Sequence, residues 1–322
     1  MAGIVPRCTR LLGKRCPPPL AAAVTIRTGT TTHARSMSGT TSGHYESHTA
    51  DSYESAYFYS AGEYTDYLRD AVKKALHLPA SSSTPTNSNA SRRLIDIGGG
   101  TGNFTRMILE GAPNIEGVVI DPFLEAGSTA TESDSTVDDN IRFVKASAED
   151  FAATESATSK GGGEWWKSGY HHILMKEVVH HLPYDSRSDI FRGLRSGLAD
   201  VDGGPSLLIV TRPQVDIDYP LWPAAREVWA ANQPSASDIE ADLKIAGFRD
   251  IESKMQTFPA SIKLDRWLDM VRSRFWSTFS KFTDEELKEA CNLIRDEATK
   301  SSKIDDDGVV RFEDRLLFIT AR

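Results

Sequence analysis

The sequence predicts an α/β fold, a doubly wound and mostly parallel sheet of seven strands, and three observations carry that expectation. Short apolar runs of strand length alternate with amphipathic stretches of helix length across residues 91–322. A glycine cluster stands directly after the first apolar run, and the second run ends in an acid about 20 residues further on. Alternation of this kind argues parallel strands with helices on both faces.

Taken in order, residues 51–78 place Tyr57, Tyr64, Tyr67, Leu68, Val72 and Leu76 at helical spacings, which predicts two short helices. Residues 79–91, rich in Ser, Thr, Asn and Pro, read as a linker. Leu94–Ile97 is the first strand, and the helix from Asn103 to Glu110 is stopped by Gly111-Ala112-Pro113. Strands follow at 117–121, 141–145, 170–175 and 206–211, with a Ser- and Gly-rich surface excursion at 156–169 and a helix at 186–198. Residues 237–247 form a helix with Gly247 as its stop, and 248–258 supply the sixth strand. The last strand, 309–320, would make a hairpin with the sixth but for an insertion with a helical segment at 264–300. The domain reading is therefore a tail at 1–44, N-terminal helices and linker at 45–90, and a catalytic domain at 91–322 with a lid-like helical insertion at 261–307. No internal repeat is visible.

The composition narrows the function classes. The chain has 322 residues, 39% of them hydrophobic, and a formal net charge of −8, enough to fill a sizeable core. Residues 1–36 hold Arg7, Arg10, Lys14, Arg15, Arg27 and Arg35 and no acid, so the rest carries −14. A body this acidic repels a phosphate backbone, which argues against nucleic acid as a partner. No stretch reaches the roughly 18 apolar residues of a spanning helix, which argues against a membrane role. The basic, acid-free leader rich in Ala, Thr and Ser has the composition of an organelle transit peptide, read here as mitochondrial, with plastid import or an internal start at Met37 and a cytoplasmic product as alternatives. Cys8, Cys16 and Cys291 match no metal or disulfide pattern. The sequence specifies no oligomeric state.

Asp96, Gly98, Gly100 and Gly102 follow an acid-x-Gly-x-Gly-x-Gly pattern that turns the chain tightly and exposes bare amides to a ligand. In the dinucleotide frame Gly-x-Gly-x-x-Gly, the first two glycines match and the third position is not glycine, so a pyrophosphate site fits poorly. The segment from Asp96 to Gly102 resembles the first motif of the class I S-adenosylmethionine-dependent methyltransferases, with Gly99 where many members have Cys. The resemblance implies a Rossmann-like sheet with an antiparallel last strand and S-adenosylmethionine as cofactor. It implies that the glycine loop packs on the methionine part, that Asp96 orders the loop and that Asp121 takes the ribose hydroxyls. The turn at 146–151 is similar to the family's adenine-binding turn. Ser147 stands where an aspartate is common, so the backbone around Ala148 and Glu149 is expected to read the ring edge.

Residues 170–182 resemble the family's fourth strand and following loop, with His171 in place of the usual aspartate. The strand's carboxyl end would bring Lys176 and Glu177 beside the transferred methyl, making them the acid/base candidates. His181 is a further candidate base, with a structural role as the alternative. His180 and His181 point to different sides of a regular backbone and lack further ligands, so no metal is expected. Methyl transfer needs alignment in a dry pocket above all, and a base only for weakly acidic acceptors.

Tyr57, Tyr64 and Trp222 are candidate acceptor-binding residues because aromatic faces suit a cation or an apolar acceptor, although aromatics at helical spacing also serve a core. Arg212, after the fifth strand, is a candidate two-pronged partner for an acceptor carboxylate, with Arg226, Arg272 and Arg274 as possible helpers and pairing to acids as the alternative. The expected function is methyl transfer to a small organic metabolite, with a carboxylate-bearing one as the narrower expectation. The competing readings are a protein methyltransferase or assembly factor of mitochondrial complexes, a non-catalytic binding protein, and a nicotinamide oxidoreductase.

Overall fold

The computed structural model describes residues 63–78, 92–112, 114–123, 140–156, 169–199, 204–301 and 303–322. One seven-stranded sheet runs in the order β3-β2-β1-β4-β5-β7-β6. Its strands are β1 (Arg92–Ile97), β2 (Ile115–Ile120), β3 (Ile141–Val144), β4 (His172–Lys176), β5 (Leu207–Thr211), β6 (Glu252–Lys263) and β7 (Val309–Ala321). The first five pair in parallel, and β7 runs antiparallel to both β5 and β6.

Strict alternation along the central strands divides two cores. Ile95, Ile97, Ile173, Met175, Leu207 and Ile209 join Phe151, Phe191 and Leu243 from α3 (Ala148–Ser156), α4 (Arg187–Ser196) and α6 (Ala236–Ile245). Leu94, Leu174, Leu208 and Val210 face Tyr64, Leu68 and Val72 of α1 (Glu63–Ala75) and Ile108 of α2 (Asn103–Leu109). Gly247 stops α6 as expected: at φ 92° it allows its own N–H to reach Lys244 O and that of Phe248 to reach Leu243 O, closing the orphan carbonyls.

Several expectations are corrected. The sixth strand extends to Lys263 because it pairs with β7 over its whole length, down to Lys263↔Val309. The segment 264–300 is two helices, α7 (Leu264–Arg272) and α8 (Asp284–Lys300), broken at Arg274 with φ 55° and restarted by a Thr283–Glu286 capping box. A helix not foreseen, α5 (Pro223–Asn232), starts with Pro at its first turn. Of the two helices expected over 51–78, α1 is one, and residues 51–62 lie outside the described residues. The tail at 1–44, the linker at 79–91, most of the 156–169 excursion and Tyr57 lie outside the described residues.

The hairpin positions the upper half of the molecule. β5 ends where Thr211 meets Leu317, and residues 309–316 of β7 continue beyond it paired with β6, with one antiparallel bridge from Ile304 to Val310. About eight residues at ~3.3 Å each carry the hairpin roughly 25 Å past the carboxyl ends of the parallel strands. α5, α7 and α8 pack on that overhang around a third core of Tyr219, Trp222, Trp229, Trp267, Trp276 and Phe312.

Candidate functional site

The carboxyl ends of β1, β4 and β5, beneath this overhang, hold the predicted site. After β1 the backbone turns left-handed at Gly98 (φ 72°), Gly100 (φ 54°) and Gly102 (φ 74°). A Cβ at Gly98 would lie 2.2 Å from Val178 Cγ2, whereas at Gly100 it would meet no described atom within 4 Å. Gly98 is thus demanded by packing, while Gly100 bares its backbone to open space. That is the shape a ligand lying on the loop requires.

Asp96 is buried beneath the loop and accepts the Thr105 hydroxyl at 2.5 Å. Burial raises its carboxyl to about 6, against the opposing pull of that hydrogen bond and of Lys176. Asp121, at the end of β2, accepts Gly100 N–H at 3.0 Å with one oxygen and Phe123 N–H at 2.8 Å with the other. Burial raises its carboxyl as well. Two acids thus bracket a cradle of amides. Ser147 serves as a helix cap: its hydroxyl accepts Asp150 N–H at 3.0 Å and donates to Asp150 Oδ2. Ala148 and Glu149 begin α3, where first-turn amides lack intrahelical partners.

Lys176 lays its ammonium 5.1 Å from the centre of the Phe104 ring. Glu177 adopts φ 60°, donates its N–H to Val210 O and accepts the Arg212 guanidinium at Oε2, 2.5 Å away. Its Oε1 is sealed from solvent without a hydrogen-bond partner, as is His180 Nδ1. Burial pushes the Glu177 carboxyl up and holds His180 neutral. The His181 ring lies 4.0 Å from that of His180. Among the described residues no group of three or more His, Cys, Asp or Glu is arranged to hold a metal ion.

Arg212 corrects the sequence reading most. It is 2% exposed, and its guanidinium is spent on Glu177, the Tyr219 hydroxyl and Asp314. Asp314, fully buried on β7, also accepts the hydroxyls of Tyr219 and of Tyr64, the latter at 2.5 Å. Tyr64 therefore reaches the site as a brace, with its ring edge-on to Phe258. Trp222 packs on Phe279 and Phe282 within the third core. Arg226 donates to the carbonyls of Ile217, Tyr219 and Leu221, while Arg272 and Arg274 pair with Asp269 and Asp284. None of the three joins Arg212. Asp314 and Tyr219 escaped the sequence reading, yet a signal exists: Val310, Phe312, Leu316 and Phe318 are the inward positions of an alternating strand, and Asp314 is an acid in that same phase.

A family model described as a methyltransferase domain matches residues 95–204, the stretch from the glycine loop through α4 to the turn before β5. That stretch, about a third of the chain, is similar to a methyltransferase domain. No curated protein sequence matches the chain. Solved structures similar to it include a Haemonchus contortus phosphoethanolamine N-methyltransferase 2 with phosphomonomethylethanolamine and S-adenosylhomocysteine, at 14% identity and TM-score 0.43, covering 80% of this chain and 52% of that one. The cyclopropane synthase MmaA2 of Mycobacterium tuberculosis is similar at 16% identity and TM-score 0.44, covering 83% and 87%. Human N-acetylserotonin methyltransferase with S-adenosylmethionine follows at 15% identity and TM-score 0.34, covering 59% and 51%. The chain spans about half the length of the Haemonchus enzyme. Among its described residues no helix is long and apolar enough to cross a membrane.

Proposed function

We propose that the chain transfers a methyl group from S-adenosylmethionine to a small organic acceptor. The observation that carries this reading is the left-handed glycine cradle, open at the Cα of Gly100 and pinned through Gly100 N–H to Asp121, with Asp96 buried beneath it. Gly98, Gly100 and Gly102 would hold the methionine part, Asp121 the ribose hydroxyls, and the first turn of α3 the adenine edge. When bound, S-adenosylmethionine supplies an electrophilic methyl on a sulfonium whose departure leaves a neutral thioether. The helical insertion, packed on the hairpin that rises past the carboxyl end of β5, supports a small acceptor over a protein substrate, since enclosure beside the cradle would exclude water from the transfer. An acceptor carboxylate held by Arg212, the narrower sequence expectation, would have to displace Glu177 or Asp314 from it. We therefore assign acceptor recognition to other groups of the rim.

Calorimetry of the full chain with S-adenosylhomocysteine and, separately, with NAD tests the cofactor. Binding of S-adenosylhomocysteine that Asp121→Ala weakens by at least tenfold supports the reading, and binding of NAD alone would sink it. The basic, acid-free composition of residues 1–44 supports mitochondrial import as a further proposal. A fluorescent protein fused behind these residues should then enter mitochondria.

A further inference from the structure

Glu177 is the least explained residue of the site. It is a non-glycine residue in the left-handed region at the tip of β4, a conformation that persists where the surroundings enforce it and that clusters at functional positions. Its neighbour Val178 packs on the cofactor loop, where a Cβ at Gly98 would be 2.2 Å from Val178 Cγ2, so the strained turn stands directly beside that loop. The two carboxylate oxygens have different fates. Oε2 is fixed by Arg212, which Tyr219 and Asp314 fix in turn, and Asp314 is braced by Tyr64. Oε1 is shut off from solvent and has no hydrogen-bond partner. A buried carboxylate oxygen without a donor is rare, and one held in place by a braced ion pair is preorganised for a donor that arrives with a ligand.

Resting on the methyl-transfer reading above, we infer that the acceptor is an un-ionised hydroxyl or amine and that Glu177 Oε1 takes its proton. The charged groups facing Glu177 are Lys176 on its own strand, Arg212 at the end of β5 and Asp314 on β7. Burial outweighs the two cations and leaves the carboxyl above its ordinary range, which suits a proton acceptor. An acceptor that is already anionic, a carboxylate or a thiolate, would instead meet Glu177 as a like charge. In the transfer the acceptor's oxygen or nitrogen forms its bond to the methyl carbon, the carbon–sulfur bond breaks with its electron pair left on sulfur, and the acceptor's proton passes to Oε1. The proton leaves Oε1 for solvent only when product departure opens the site, which restores the carboxylate. Arg212, Asp314, Tyr219 and Tyr64 act as positioning residues.

The test uses the full chain, methyl-labelled S-adenosylmethionine and a small-metabolite extract, with products identified by mass spectrometry. The expected product is an O-methyl ether or an N-methyl amine. A methyl ester or thioether from the wild-type chain overturns the inference without any variant being made. On the identified acceptor, Glu177→Gln should lower kcat by about 10²-fold or more and abolish the acid limb of the wild-type pH profile. Its affinity for S-adenosylhomocysteine should stay within about threefold of wild type, and Glu177→Asp should recover part of the rate. A kcat for Glu177→Gln within about threefold of wild type overturns the inference alone. Failure of the wild-type chain to bind S-adenosylhomocysteine, or to methylate anything in the extract, overturns the methyl-transfer reading and this inference with it.

Discussion

Gly98 and Gly100 share a left-handed backbone but answer to different masters, and substitution separates them. Alanine at Gly98 adds the strain of a positive φ, about 1–2 kcal/mol, to a collision with Val178 at 2.2 Å. Alanine at Gly100 bears the strain without the collision. Gly98→Ala should therefore lose several degrees more of Tm than Gly100→Ala, measured by thermal unfolding of the free chain. Gly100→Ala should still weaken S-adenosylhomocysteine at least tenfold by calorimetry, because its methyl projects where the ligand lies; unchanged affinity would remove Gly100 from the cradle. Residues of this kind were legible in the sequence because a backbone requirement is written locally, within a few positions of one strand end. The partners of Arg212 were not, because Glu177, Tyr219 and Asp314 come from the end of β4, the loop after β5 and the middle of β7, as far as 102 residues from Arg212 in sequence. Ser147 was read through a family role, while its chemistry three residues before Asp150 spelled a cap.

At the scale of elements, periodicity found the strands and most helices but misjudged what a long hairpin does. β6 has only a short stretch of sheet core to match and then continues along β7, so its length is set by a distant partner and not by its own pattern. α5 carries Trp222 and Trp229, which read as binding-site aromatics because the core that buries them is assembled from α7, α8 and the hairpin overhang. A core of its own predicts that the upper half opens separately from the sheet. Trp267 is fully buried there and touches Tyr219, Trp276, Phe279 and Phe312. Trp267→Ala should cost about 3–5 kcal/mol locally. Hydrogen exchange should show lost protection in residues 264–300 with residues 92–120 little changed. Equal loss in both segments would mean that the insertion and the sheet unfold as one.

For the whole molecule, two buried groups on neighbouring strands set opposing responses to acid. Asp96 lies near the carboxyl end of β1, and His172, paired with Leu94 and so two residues lower in register, opens β4. The Asp96 carboxyl is raised from 3.8 to about 6 by burial. The folded chain therefore binds a proton there that the unfolded chain releases between pH 4 and 6, and the contribution of Asp96 to stability falls as pH rises through that window. His172 is lowered from 6.5 to about 4, chiefly by burial, with its Nδ1 3.3 Å from the Pro205 carbonyl. Here the unfolded chain holds the extra proton, so the contribution of His172 is present above its unfolded value and is lost as pH falls from 6.5 towards 4. Each effect is of the order of 3 kcal/mol, and over pH 4–6 they largely offset one another. Removing one should expose the other. Asp96→Asn, still able to accept from Thr105, should match or exceed the wild-type stability at pH 7 and then decline more steeply on acidification, while His172→Gln should resist acid better than the wild type. Denaturant unfolding of the four species, wild type, each single variant and the double, between pH 4 and 7 measures both slopes. Parallel curves for Asp96→Asn and wild type would show that Asp96 stays ionised throughout, and would return its role to ordering the glycine loop by charge.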